Sequence, residues 1–178
     1  YTLRAHGWDR GFKNNSKSNF NFINSGFNLR PLDLTAAIGL SQLNRLIKSN
    51  NFRTNNRNKI INSLLKSPKW KNQFTFFEAE KNLKPSWFGL PLLLNKKFIK
   101  NKKSFLKRLN KNGIETRPII SGNFLNQPSI DLYGLNKTKE KFPVAQEIED
   151  RGFFIGLHTR NIEKKEIIKL TNNLLSIN

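Results

Sequence analysis

The chain of 178 residues is 37% hydrophobic, with 15 Phe and 3 Trp, enough apolar mass for one packed domain or a small domain with a piece of a neighbour. It has no Cys, which excludes disulfides, thiolate metal sites and cysteine-held iron–sulfur clusters from this segment. Its two histidines, His6 and His158, stand in no metal-ligand spacing with the carboxylates. Against 12 Asp+Glu it carries 32 Lys+Arg, a net +20 that raises nucleic-acid binding as a function of another class. The lysines arrive with abundant Asn, Ile and Phe over the whole length, however. The densest run, Lys96–Lys111, places Phe98, Phe105, Leu106 and Leu109 at helical spacing. That is an ordinary amphipathic helix with a solvated basic face, and no specific nucleic-acid partner is expected. No run of about 18 apolar residues reads as a membrane span, and no secretory leader is recognisable, so a cytoplasmic protein is expected.

Tyr1 to Gly26 is polar and aperiodic and reads as a long loop. At Leu32 the pattern becomes strongly helical and continues to Ile47, with Pro31 at the entrance and Asp33 placed to favour the positive helix N-terminus. Its apolar residues cover more than one stripe, so this helix expects burial by a partner domain or subunit. A second helix is predicted from Phe52 to Leu65, ended by Pro68. Strands follow at Phe74–Glu78 and Trp87–Leu94. A helix over Lys100–Asn112 is closed by Gly113, and Ile114–Ile120 reads as a strand. Pro143–Asp150 is a short helix closed by Gly152, Phe153–Leu157 is strand-like, and Asn161 is a candidate cap for the last helix. These elements predict an α/β chain, with residues 1–66 ending a larger domain and residues 67–178 forming a small α+β domain. As the chain opens on Tyr1 in mid-pattern, a longer reading frame is expected.

No nucleophile–base constellation, phosphate-binding glycine loop or zinc spacing is present. One local feature stands out, Gly26-Phe-Asn-Leu-Arg-Pro-Leu-Asp33. It sets an amide, Asn28, and a guanidinium, Arg30, just before the positive end of a helix, where both can meet a phosphate. A polar loop with Arg30 in a surface ion pair is the competing reading.

The stretch Gly26–Leu43 closely resembles the one that characterises the sugar aminotransferase family named after DegT, DnrJ, EryC1 and StrS. Leu3-Arg-Ala-His-Gly7, Arg57 with Asn58, Asn112-Gly-Ile-Glu-Thr-Arg-Pro118 and the segment from Phe142-Pro-Val-Ala-Gln to Gly156-Leu-His158 match further family motifs in the right order. The resemblance implies the C-terminal portion of a type I aminotransferase fold, pyridoxal or pyridoxamine 5'-phosphate as cofactor, and a homodimer with active sites shared between subunits. It implies Asn28 as a donor to the cofactor phosphate, and Arg30 and Arg117 as contacts for the phosphates of a nucleotide-sugar substrate, with a strand-end ion pair as the alternative for Arg117. His6 is implied as a catalytic-site histidine near the sugar, with a plain helix-end residue as the alternative. His158 reads as a loop histidine. The residue that would hold the cofactor covalently falls upstream of Tyr1.

His6-Gly-Trp-Asp-Arg10, Ser86-Trp-Phe-Gly-Leu-Pro91 and Ser121-Gly-Asn-Phe-Leu-Asn-Gln-Pro128 resemble the nucleotide-sugar 3-dehydratase branch more than ordinary aminotransferases. The absence of Cys between Asp9 and Ser25 matches its cluster-free members, similar to GDP-4-keto-6-deoxymannose 3-dehydratase. The activity implied is removal of the C3 hydroxyl of a 4-keto-6-deoxyhexose, as in O-antigen deoxysugar biosynthesis, with glutamate as amino donor and a histidine at the upstream Schiff-base position. Transamination of the 4-keto group is the alternative.

Overall fold

A computed structural model describes residues 2–9, 22–29, 31–135 and 142–177. The chain divides into two compact units, Tyr1–Leu46 and Ile47–Asn178.

In the first unit, a single 3-10 turn over Thr2–Arg4 leads into two short segments that pair antiparallel, with bridges at Ala5↔Asn28 and Trp8↔Phe22. Backbone bonds lace them together: the His6 amide donates to Phe27 O (3.0 Å), the Phe27 amide to Leu3 O (2.6 Å) and the Leu29 amide to Arg4 O (2.9 Å). Helix α1 then starts at Asp33, with the first helical bond running from the Ala36 amide to Leu32 O.

Helix α1 spans Asp33–Leu65 without interruption, where the sequence had suggested two helices. The linking residues Lys48-Ser-Asn-Asn51 contain neither Gly nor Pro, and Ser and Asn cost an interior helix only a few tenths of a kcal/mol each (roughly). That is too little to break a helix whose C-terminal half is held by packing. The residues before Lys48 are the ones for which a covering partner was expected, and here they are open: Leu34 is 71% exposed, Leu40 66% and Ile47 75%.

The second unit is built on a four-stranded antiparallel sheet of order β1–β2–β4–β3, with β1 Phe74–Phe76, β2 Gly89–Leu94, β3 Thr116–Arg117 and β4 Gly152–Gly156. Along β2 the period of two puts Leu90, Leu92 and Leu94 wholly inside. Pro91 lies where β2 has β4 alongside but β1 has not yet begun to pair, a position that tolerates a missing amide hydrogen. Against this sheet pack Ile60, Ile61 and Leu64 of α1, Phe105 and Leu109 of α2 (Lys102–Lys111), and Leu174 of α5 (Lys164–Leu174). Phe74, Phe105 and Phe153 meet at ring separations of 6.1–6.2 Å, two of the three pairs edge-on. Helices α3 (Pro128–Leu132) and α4 (Pro143–Arg151) complete the unit, each with Pro in its first turn.

Several boundaries differ from the sequence reading: the strands expected over Phe74–Glu78 and Trp87–Leu94 form at Phe74–Phe76 and Gly89–Leu94. The strand expected over Ile114–Ile120 forms only at Thr116–Arg117, because Pro118 has no amide to donate and Ile120 turns into the left-handed region at φ 46°. The helix expected over Lys100–Asn112 is preceded by 3-10 turns over Lys96–Asn101, and Gly113 closes it at φ 79° as expected. The cap of α5 is Glu163, which forms a reciprocal capping box with Glu166. Asn161 instead accepts a hydrogen bond from Lys59 Nζ (2.6 Å).

Candidate functional site

Asn28 and His6 lie in the paired segments of the first unit. Asn28 is exposed, its backbone is fixed by the bridge to Ala5, and its side chain makes no hydrogen bond among the described residues. His6 is also exposed, at φ 60°, a conformation that a non-glycine residue adopts at the end of a helical turn. Its backbone amide is the donor to Phe27 O, so its position is a structural corner whatever its ring does. Arg30 lies outside the described residues, as does most of the loop from Asp9 to Ser25.

In the second unit, the C-terminal half of α1, the ends of β3 and β4, and α5 enclose a cleft of about 550 Å³. Arg117 and His158 both line it, together with Arg53, Phe88, Glu115 and Lys169. The rear wall is fixed by Asn56, which is completely buried. Its Nδ2 donates to the carbonyls of His158 (3.0 Å) and Arg160 (2.7 Å), and its Oδ1 accepts from the Ile162 amide (3.2 Å). One side chain thus holds the whole 158–162 turn through its backbone. His158 contributes that carbonyl, while its side chain is exposed, in keeping with a loop histidine.

The carboxylates of the cleft are already engaged. Glu115 pairs with Arg117 (2.8 Å), and Glu166 pairs with Arg160 (2.6 Å). Hydrogen bonds from Arg160 and from the Glu163 amide hold the Glu166 carboxyl down at about 2, against an ordinary 4.5. Arg53 and Lys169 form no ion pair among the described residues. The Nε of Arg53 is buried without a hydrogen-bond partner, and its guanidinium lies 5.9 Å from the centroid of the Phe88 ring, which is 64% exposed.

The family-like motifs have local reasons. Arg57 is buried with its guanidinium 4.3 Å from the Trp87 ring centroid, donates to Phe77 O and pairs with Glu78 at 3.0 Å, fixing both ends of the 77–88 connection. Gly89 is needed because a Cβ there would stand 2.5 Å from the Phe154 ring and 2.8 Å from Ile155 O. In Ser121–Pro128, Asn123 and Asn126 both donate to Gln146 Oε1 (3.0 Å each), and the Asn123 amide donates to Glu149 Oε2 (2.9 Å). This motif therefore docks a loop onto α4. Asn56, Arg53 and Lys169 were missed by sequence reasoning because a chain so rich in Asn, Lys and Arg gives no single one of them contrast. Glu115 stood inside a recognised motif, and its charge opposite Arg117 was the available signal.

The chain matches the model of the DegT/DnrJ/EryC1/StrS aminotransferase family over residues 1–174. It is 30% identical over 184 residues to GDP-4-keto-6-deoxy-D-mannose 3-dehydratase of Yersinia pseudotuberculosis, covering 97% of this chain and 45% of that protein. To the enzyme of the same name from Escherichia coli O55:H7 it is 29% identical over 167 residues, covering 88% of this chain and 42% of that protein. The solved E. coli GDP-4-keto-6-deoxy-D-mannose-3-dehydratase with bound hydrated PLP superposes with a TM-score of 0.79 at 29% identity, over 97% of this chain and 46% of that one. The chain thus spans less than half the length of these relatives. With a family model matching almost end to end, this chain belongs to the DegT/DnrJ/EryC1/StrS aminotransferase family.

Proposed function

We propose that the protein carrying this chain is a pyridoxal-phosphate-dependent 3-dehydratase of 4-keto-6-deoxy nucleotide sugars. The observation that carries this reading is the likeness of the whole chain, dehydratase-like motifs included, to relatives named for that reaction. When bound, the aminated cofactor supplies an electron-withdrawing ring that makes an adjacent carbon–hydrogen bond acidic enough to drive loss of a neighbouring hydroxyl.

Asn28 fits the cofactor's phosphate: its side-chain amide is exposed and makes no hydrogen bond among the described residues, on backbone paired with Ala5. It donates to that phosphate across the interface of a cytoplasmic homodimer with shared active sites. Arg30 and Arg117 take the substrate's phosphates, and His6 stands near the sugar. Glutamate regenerates the amine form. In domain terms, residues 1–66 finish the large cofactor domain and residues 67–178 make up the small one. Absorbance of the purified protein with pyridoxal phosphate, before and after glutamate, tests the cofactor assignment. Conversion of the bound aldehyde form to the amine form is expected, and a protein that retains no cofactor would refute it.

A 4-keto aminotransferase is the second reading. It is favoured by the family model, which is that of aminotransferases.

A further inference from the structure

Between Lys96 and Lys111 the chain carries eight cations and no carboxylate. The structure sorts them by what they do. Three are used within the second unit: Lys96 pairs with Glu147 (2.6 Å), Lys102 Nζ donates to the carbonyls of Glu149 and Asp150 (2.9 Å each), and Arg108 donates to Ser176 O (2.7 Å). Lys97 lies over the Phe98 ring, 4.8 Å from its centroid. The other four, Lys100, Lys103, Lys107 and Lys111, are exposed and form no ion pair among the described residues.

These four are not scattered. At about 100° per residue, Lys103, Lys107 and Lys111 fall within an arc of about 80° on α2, and Phe105 and Leu109, both buried in the core, lie on the opposite side. Lys100 stands one turn before Lys103. The helix thus turns an apolar face inward and a row of lysines outward, about 12 Å long from Lys103 to Lys111. Like charges four residues apart on one face repel, and no carboxylate stands in this row to offset them. A partner with negative charge relieves that repulsion. The row holds lysines alone, without arginine forks or an exposed aromatic, so it carries neither base-edge readout nor base stacking. Ammonium tips over a planar array of anionic head groups need neither. Ile99, 38% exposed beside Lys100, adds an apolar contact of the kind a bilayer interface accepts.

We propose that the outward row Lys100, Lys103, Lys107 and Lys111 is a docking surface for the anionic face of a phospholipid bilayer. The contact is peripheral and reversible, since it rests on ammonium tips and the edge of Ile99. It goes beyond the dehydratase reading and does not depend on it.

Co-sedimentation of the complete protein at physiological salt, with vesicles of equal parts phosphatidylglycerol and phosphatidylethanolamine and with vesicles of phosphatidylcholine alone, tests this surface. Binding to the anionic vesicles only is expected. Each lysine near such a surface contributes about fivefold to partitioning, so the triple variant Lys103→Gln, Lys107→Gln, Lys111→Gln should bind about a hundredfold more weakly. Arginine at the same three positions should retain binding. Because a net charge of +20 attracts anions by itself, the triple variant Lys66→Gln, Lys69→Gln, Lys71→Gln removes the same charge at other exposed positions, and it should lose far less. A wild-type protein that ignores anionic vesicles would overturn the proposal. Equal losses in the two glutamine variants would overturn it too, by reducing the binding to net charge. Tighter binding to a random DNA duplex than to the vesicles, lost in the α2 variant, would overturn it in favour of nucleic acid.

Discussion

Gly7 and Gly26 pack backbone against backbone: a Cβ on Gly26 would stand 2.6 Å from the Gly7 amide nitrogen and 2.7 Å from Leu3 O. Gly7 itself is at φ 89°, and a Cβ there would fall 1.5 Å from Asn24 O. No flexible side-chain end is available to move aside, so both positions demand glycine. Gly26→Ala is expected to destabilise the paired segments by about 1–3 kcal/mol. Gly7→Ala adds left-handed strain and should cost more. Hydrogen exchange at the Phe27 and Leu29 amides reads the effect, and unchanged protection in both variants would contradict it.

Asn28 projects from the same pairing two residues beyond Gly26. Asn28→Ala removes a donor but no packing, since the side chain is exposed. Cofactor retention by the complete protein is expected to fall by about 1–3 kcal/mol with no change in the unfolding midpoint of the apoprotein. In mixed dimers the defect should appear in the site of the other subunit. An unchanged cofactor dissociation constant would take Asn28 out of the site.

Asn56 is expected to be the most sensitive polar position of the second unit. Asn56→Ala strands two carbonyls and one amide around the 158–162 turn, at about 1–3 kcal/mol for each group that water cannot reach. Asn56→Asp should be worse than alanine, because a buried carboxylate would face the carbonyl oxygens of His158 and Arg160. Urea unfolding of the two variants gives the order, and an aspartate variant more stable than the alanine one would contradict it.

The Arg160–Glu166 pair makes a pH prediction. The Glu166 carboxyl is depressed from 4.5 to about 2 in the folded chain. A depressed carboxyl stabilises the fold above its unfolded pKa, and that contribution is lost as the pH falls through the folded value. The difference in melting temperature between the wild type and Glu166→Gln should therefore be constant above about pH 5 and shrink between 4.5 and about 2. A difference independent of pH across that window would show that the pairing does not persist in solution.

Much of this architecture was legible beforehand because it rests on local rules. The β2 strand, the Gly113 stop and the Pro143 start each follow from one or two residues. The continuity of α1 was not legible, because Ser49, Asn50 and Asn51 are weak helix formers and only packing of Asn56, Ile60 and Leu64 decides the matter. The cap of α5 was assigned to Asn161 because Asn is the commoner cap, whereas the Glu163–Glu166 box depends on a reciprocal bond. Candidate site residues were readable only where a motif framed them, as with Asn28 and Arg117. The cleft cations Arg53 and Lys169 became visible only when the structure showed which charges had no partner.

The most direct test of the dehydratase reading is the mass of the product formed from GDP-4-keto-6-deoxymannose by the complete protein with pyridoxal phosphate and glutamate. The account predicts a GDP-sugar lacking the C3 hydroxyl, with the 4-keto group retained and glutamate consumed. A GDP-sugar that keeps its C3 hydroxyl and carries an amine at C4 would contradict it and assign the protein to transamination.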